Sequence, residues 1–188
     1  MVSTKKQTLV VNFFAGPGAG KSTLCAALFA RLKFLGIDCE MSLEYAKDVV
    51  WEESLKKLDN QIYIFGKQLH RLQRLNHKVK VIITDAPLLH SAIYCKAGHE
   101  TFIKLIVEEY SKFTNLNYFI NRRTTFDQNG RVHDLEESKA IDDKIISFLR
   151  DNNVEYTAID GNIEIIDSIL KTVLDISSLL NRNKNETI

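Results

Sequence analysis

The sequence of 188 residues predicts an α/β fold, a parallel sheet of five strands with helices on both faces. Short apolar runs alternate along the chain with amphipathic helical stretches, as they do when helices cover both sides of a parallel sheet. Two of these runs, residues 8–14 and 79–84, are almost continuously apolar, as strands are when both of their faces are buried. The composition, 45% hydrophobic and 26% charged, is that of an ordinary globular domain.

The elements follow in order. Strand 1 covers 8–14. A helix over 21–35 comes next, because Leu24, Leu28, Leu32 and Leu35 step by three and four along one face and Gly36 supplies a left-handed stop. Strand 2, 38–43, alternates Cys39, Met41 and Leu43 with Asp38, Glu40 and Ser42, so one face is wetter, as near a sheet edge. Helices are expected over 45–57 and 60–76. Strand 3, 79–84, ends in Asp85-Ala86-Pro87, where proline stops the ladder. A helix over 100–113 leads to strand 4, 117–120. Residues 121–134 are polar and basic and contain the turn dipeptide Asn129-Gly130, so they read as an excursion or short lid. A helix over 135–149, a strand over 154–159 and a helix over 162–180 complete the series, and residues 181–188 are expected to fray. The chain, 1–188, reads as one domain without repeats, long enough to bury about 70% of its unfolded surface without a disulfide or metal.

Charge and cysteine content exclude several classes. Lys and Arg number 25 against 24 Asp and Glu, so the molecule has no overall field to collect nucleic acid or membrane, and any polyanion site must be local. Cys25, Cys39 and Cys95 are odd in number and lack CxxC spacing, which points to reduced thiols and a cytoplasmic location. The apolar run 9–15 is too short to span a bilayer and leads into glycines, so neither a targeting segment nor a membrane partner is expected. The five histidines show no metal-ligand spacing, and no Ser-His-Asp arrangement can be defended.

The strongest motif is Ala15-Gly16-Pro17-Gly18-Ala19-Gly20-Lys21-Ser22-Thr23, set between strand 1 and helix 1 where a phosphate-binding loop belongs. Glycines let successive backbone N–H groups turn inward around a phosphate, and the helix N-terminus adds partial positive charge. Residues 16–23 thus form the expected nucleotide site, with Lys21 bridging β- and γ-phosphates, Ser22 ligating Mg²⁺ and Thr23 near the α-phosphate of ATP. The strict pattern has glycine where Ala15 stands, which is tolerable if φ there is negative.

Other motifs narrow the class. A GTPase would carry D-x-x-G after strand 3 and N-K-x-D after a later strand, and this chain has Asp85-Ala86-Pro87-Leu88 and Asn121-Arg122-Arg123-Thr124. A motor ATPase would need a further helical subdomain for its arginine finger, for which little chain remains. The loop GPGAGKST resembles that of the nucleoside and nucleotide kinase branch of phosphate-loop proteins. Ser42-Leu43-Glu44-Tyr45-Ala46-Lys47 is similar to the Glu-Tyr-Ala-Arg segment of the ribosylnicotinamide kinase family. The layout also resembles small phage-encoded phosphate-loop proteins that include 5-hydroxymethyluracil DNA kinases. The resemblance implies a three-layer P-loop kinase fold with strand order 2-3-1-4-5. It implies transfer of the γ-phosphate of ATP, with Mg²⁺, to the hydroxymethyl group of 5-hydroxymethyluracil in phage DNA, in the host cytoplasm. A soluble nucleoside, nucleotide or ribosylnicotinamide acceptor is the first alternative, and a regulatory ATPase with no acceptor the second.

Site residues follow from position and resemblance together. Asp85 closes a buried strand at the carboxyl edge of the sheet, where it would hold Mg²⁺ or else serve as a turn or cap aspartate before Pro87. Glu44 ends strand 2 on the same edge, as general base or as a cap of the following helix. The lid carries Arg122, Arg123, Arg131 and His133. The resemblance assigns Arg122 and Arg131 to the transferring phosphate, the plain alternative being a surface turn with scattered arginines. Lys67, Arg71, Arg74 and Lys78 would share one helix side as a DNA-backbone contact or as a solvated face. Gln61 and Gln68 lie in that segment and could bond a base edge, and Tyr45 and Tyr63 could stack on one.

Overall fold

Six consecutive buried residues, Leu9–Phe14, form β1 at the centre of the sheet. The computed structural model describes residues 7–95, 99–122 and 134–182. After β1 come α1 (Lys21–Phe34), β2 (Cys39–Ser42), α2 (Tyr45–Trp51), a 3-10 turn (Leu55–Asp59), α3 (Gln61–Gln73) and β3 (Val81–Thr84). Then follow α4 (His90–Ile93), α5 (Glu100–Ser111), β4 (Thr114–Asn121), α6 (Leu135–Asp151), β5 (Thr157–Asp160) and α7 (Ile165–Arg182). All pairings are parallel, in the order β2-β3-β1-β4-β5, the P-loop NTPase arrangement. Among the described residues no helix is long and apolar enough to cross a membrane.

The period-two alternation of the strands divides the core into two layers. Leu9, Val11 and Phe13 pack with Leu24, Leu28 and Leu32 of α1 and Ile166, Ile169 and Val173 of α7. Val10, Phe14 and Ile82 face the other way, against Phe65 and Leu72 of α3, Ile106 of α5 and Ile145 of α6. Asn12 interrupts the apolar run and is 1% exposed. A buried amide must be paired, and its Nδ2 donates to Asn115 Oδ1 at 2.9 Å and Asn117 Oδ1 at 3.0 Å on β4. Asn117 in turn accepts from the Tyr110 hydroxyl and donates to the Glu155 carbonyl, so polar side chains cross the sheet as a satisfied ladder.

That ladder explains why β4 starts at Thr114, three residues ahead of the apolar run expected at 117–120. Other boundaries moved for local reasons. The helix expected over 45–57 stops at Trp51, because Glu53 adopts φ 54° and Ser54 N–H bonds back to Val49 O before the 3-10 turn begins. The helix expected over 60–76 ends at Gln73, and His77 adopts φ 64° with its N–H donating to Thr8 Oγ1. Lys78 therefore lies past α3, and the four-cation helix face is two residues, Lys67 and Arg71, with Arg74 at the cap. Leu35, expected on the apolar face of helix 1, is 56% exposed, and buried Cys25 takes part in that face instead. The short helix α4 had no signal in the sequence reading. Arg123, Arg131 and His133 lie outside the described residues, as does the tail from 183.

His90, on α4, sets its ring edge-on to Phe14 at 5.4 Å, and its Nε2 is buried without a hydrogen-bond partner among the described residues. Burial, and then the charge of Lys21, hold its imidazole well below the ordinary value of 6.5. The folded ring stays neutral while an unfolded one takes up a proton near 6.5. The unfolded state thus gains protons as pH falls, so this contribution to stability is fully present above that value and is lost below it. Substitution His90→Phe is expected to flatten the fall in melting temperature between about pH 7 and pH 5. Thermal melts followed by circular dichroism check this, and an unchanged acid slope would assign the acid sensitivity to other groups.

Candidate nucleotide and phosphoryl-transfer site

The site is assembled where the carboxyl ends of β1, β2 and β3 meet the N-terminus of α1. Gly18 and Gly20 adopt φ of 80° and 92°, the left-handed region that side chains disfavour, and Gly20 is the N-cap of α1. Gly16 is required for a different reason: a Cβ there would meet Ser138 O at 2.6 Å and Arg122 Nη2 at 2.7 Å. Ala15 is not among the residues with positive φ, so its methyl group costs the turn nothing.

Lys21, the first residue of α1, folds back over the loop and donates to the carbonyls of Ala15 at 2.8 Å and Gly16 at 2.9 Å. Burial lowers its pKa from 10.5; Glu44, Asp85 and Asp142 act to raise it and Arg122 to lower it. Ser22 Oγ donates to Asp85 Oδ2 at 2.5 Å. The other carboxylate oxygen of Asp85 accepts the Glu44 N–H at 2.9 Å, and the group is 2% exposed. One buried carboxylate thus ties the phosphate loop to the ends of β3 and β2. Thr84 reinforces the junction, its Oγ1 donating to Ser42 O and accepting from Ala86 N–H.

Glu44 occupies the N-cap position of α2 by its backbone, but its side chain makes no capping bond. Its charge instead acts on Lys21 and on Tyr94. Thr23 is exposed on the first turn of α1. Among the described residues no group of three or more His, Cys, Asp or Glu is placed to hold a metal. The hard oxygens of Ser22 and Asp85 suit a Mg²⁺ ion that draws its remaining ligands from phosphates and water.

The residues expected to contact an acceptor separate into two groups. Tyr45 and Tyr63 join through their hydroxyls at 2.8 Å with rings 5.8 Å apart, and Lys67 Nζ lies 5.4 Å from the Tyr63 ring. Tyr45 of this pair follows Glu44 directly in the chain. Gln68 and Arg71 spend their polar atoms inside the protein. Gln68 accepts from Tyr45 N–H and donates to Ser42 Oγ, and Arg71 donates to Leu43 O and pairs with Asp48 beneath Tyr45. Gln61 bonds Leu58 O and lines a hollow of about 250 Å³ with Lys56, Cys95 and Phe102, which contains no phosphate-loop residue. Arg122 meets the loop at the Pro17 carbonyl. Its guanidinium is held by Asp142, Pro17 O and Ser138 O. Sequence reading missed Asp142, which sits at a polar position of an ordinary amphipathic helix, and Tyr94, which follows the unforeseen α4.

The contrast between Gly16 and Gly66 tests this geometry. Gly66 lies inside α3 with open space where a Cβ would stand. Gly66→Ala is expected to stabilise the protein by about 0.5–1 kcal/mol, and Gly16→Ala to destabilise it by about 1–3 kcal/mol. Urea unfolding of both variants measures the difference, and equal stabilities would refute the tight seat at Gly16.

Comparison with known proteins agrees with this fold. The crystal structure of NadR protein in complex with NAD and AMP-PNP superposes with a TM-score of 0.64 at 18% identity, over 87% of this chain and 49% of that one. The likeness is one of fold, and this chain spans about half the length of that protein. No curated protein matches the sequence. Residues 10–165, most of the sheet together with the phosphate loop, match the family described as AAA domain, and the chain belongs to that nucleotide-binding family.

Proposed function

We propose that the protein is a phosphate-loop kinase that moves the γ-phosphate of ATP to an acceptor hydroxyl. The observation that carries this reading is the meeting of Lys21, the Ser22–Asp85 pair and Glu44 at one sheet edge. Residues 18–23 cradle the phosphates, and Lys21 exchanges its carbonyl partners for β- and γ-phosphate oxygens. Ser22 and Asp85 would hold Mg²⁺, which would supply neutralisation of charge on the phosphates. The acceptor oxygen forms its bond to the γ-phosphorus as the bond to the β–γ bridging oxygen breaks. Its proton passes to the Glu44 carboxylate, and ADP leaves. Arg131 is proposed to cover the transferring group, as first expected.

For the acceptor, the geometry favours a small nucleoside-like hydroxyl compound bordered by Tyr45 and Tyr63. The basic face that motivated a DNA acceptor is shorter than expected, and Arg71 is already paired with Asp48. The hydroxymethyl group of 5-hydroxymethyluracil in DNA stays as the competing arm. A regulatory ATPase without an acceptor is the second reading, since the match to the AAA domain family supports nucleotide binding and names no acceptor.

Transfer of labelled γ-phosphate from ATP-Mg²⁺ to free nucleosides, nucleotides, nicotinamide riboside, plain DNA and hydroxymethyluracil DNA separates the three. Label in a small molecule supports the favoured acceptor, and label in modified DNA alone replaces it. Hydrolysis that no hydroxyl compound changes would leave the regulatory ATPase. Lys21→Ala is expected to abolish transfer with the fold intact. Glu44→Gln should lower turnover by about 100-fold or more with AMP-PNP binding nearly unchanged, and turnover within a few fold of wild type would remove Glu44 from the role of base.

A further inference from the structure

The opening of the phosphate loop is clasped from outside by α6. Asp142 Oδ1 accepts the Gly16 N–H at 2.5 Å, and its other oxygen pairs with Arg122 Nε. Arg122 Nη1 donates to Pro17 O at 2.5 Å and Nη2 to Ser138 O at 2.9 Å. The two side chains are only 11% and 13% exposed, and Gly16 is packed so closely against them that no side chain fits. Arg122 directly follows β4 and Asp142 lies inside α6, so the contact joins three separate parts of the fold.

The chemistry of this contact decides which loop amides face a phosphate. The Gly16 N–H is turned outward onto a carboxylate, and Pro17 has no N–H. The amides able to converge on the nucleotide therefore begin at Gly18. We propose that Arg122 and Asp142 are a positioning pair that orients the loop at Gly16 and Pro17 and thereby sets its affinity for nucleotide. This rests on the phosphate-binding reading of the loop and is independent of the acceptor. Loss of either charge leaves the other buried without its partner and frees the loop opening. Arg122 acts through the backbone it holds.

The test is titration of the full chain with AMP-PNP and Mg²⁺ by calorimetry, for wild type, Asp142→Asn, Arg122→Gln and the double variant, with Lys21→Ala as control. Each single change is expected to weaken binding about tenfold, and the double variant to bind no more weakly than the worse single, because the two residues act as a unit. Binding within twofold of wild type in both singles, or losses that simply add, would overturn the pairing. Arg122→Lys keeps a positive charge beside Asp142 but has no planar fork to reach Pro17 O and Ser138 O together. It is expected to fold and to bind AMP-PNP several-fold more weakly. A lowered melting temperature with unchanged affinity in that variant would mean a merely structural contact and would also overturn the proposal. If wild type and Lys21→Ala alike fail to bind, the phosphate-loop reading fails and the pair's role falls with it. Wild-type binding that Lys21→Ala abolishes and the pair variants leave intact removes the pair alone.

Discussion

The buried carboxylate of Asp85 is the constraint on which the site depends. A carboxylate at 2% exposure is tolerated only when both oxygens are satisfied. Here one takes the Ser22 hydroxyl and the other the Glu44 main-chain N–H. Satisfying the charge thus joins three chain segments that are far apart in sequence, the start of α1 and the ends of β2 and β3. The ammonium of Lys21 is placed in the field of the same carboxylate, which offsets part of the cost of its burial.

The sheet delivers these groups because its strands are in parallel register. Leu9 to Asn12 pair with Val81 to Thr84, and Cys39 to Ser42 pair with the same residues of β3, so β2 and β3 end level with each other and β1 runs on by two residues into the phosphate loop. The residue after each end is then a site residue or leads directly to one. Two apolar layers hold the strands in place, and the amide ladder from Asn12 to Asn117 fixes β1 against β4 where apolar packing alone would leave register less specified. Fixing β4 also fixes Arg122 one residue beyond its end, where it reaches the loop.

Much of this was legible from residue types and spacing. The strand, loop and helix order located the phosphate loop, because glycines, Lys21 and Ser22 carry their chemistry locally. Asp85 and Glu44 were legible as carboxylates closing strands. Arg122 was legible as an arginine beside the site but not in its role, because a guanidinium's partners lie wherever the chain brings carbonyls and carboxylates, here 16 and 20 residues away on α6 and 105 away at Pro17. Gln68 and Arg71 misled for the same reason. Their polar ends look available in sequence and are consumed by the β2–α2 turn. The break of α2 and the early end of α3 rest on single residues in left-handed conformation, Glu53 and His77, neither of which is the glycine that ordinarily marks such a position.

The sequence by itself determined the fold class and the phosphate loop, since hydrophobic periodicity and backbone-permissive glycines act over a few residues at a time. The tertiary structure alone decided which carboxylate answers which cation, why Gly16 must lack a side chain, and which backbone amides remain for a phosphate. Those depend on atoms brought within hydrogen-bond distance from opposite ends of the chain, and no local pattern encodes that distance.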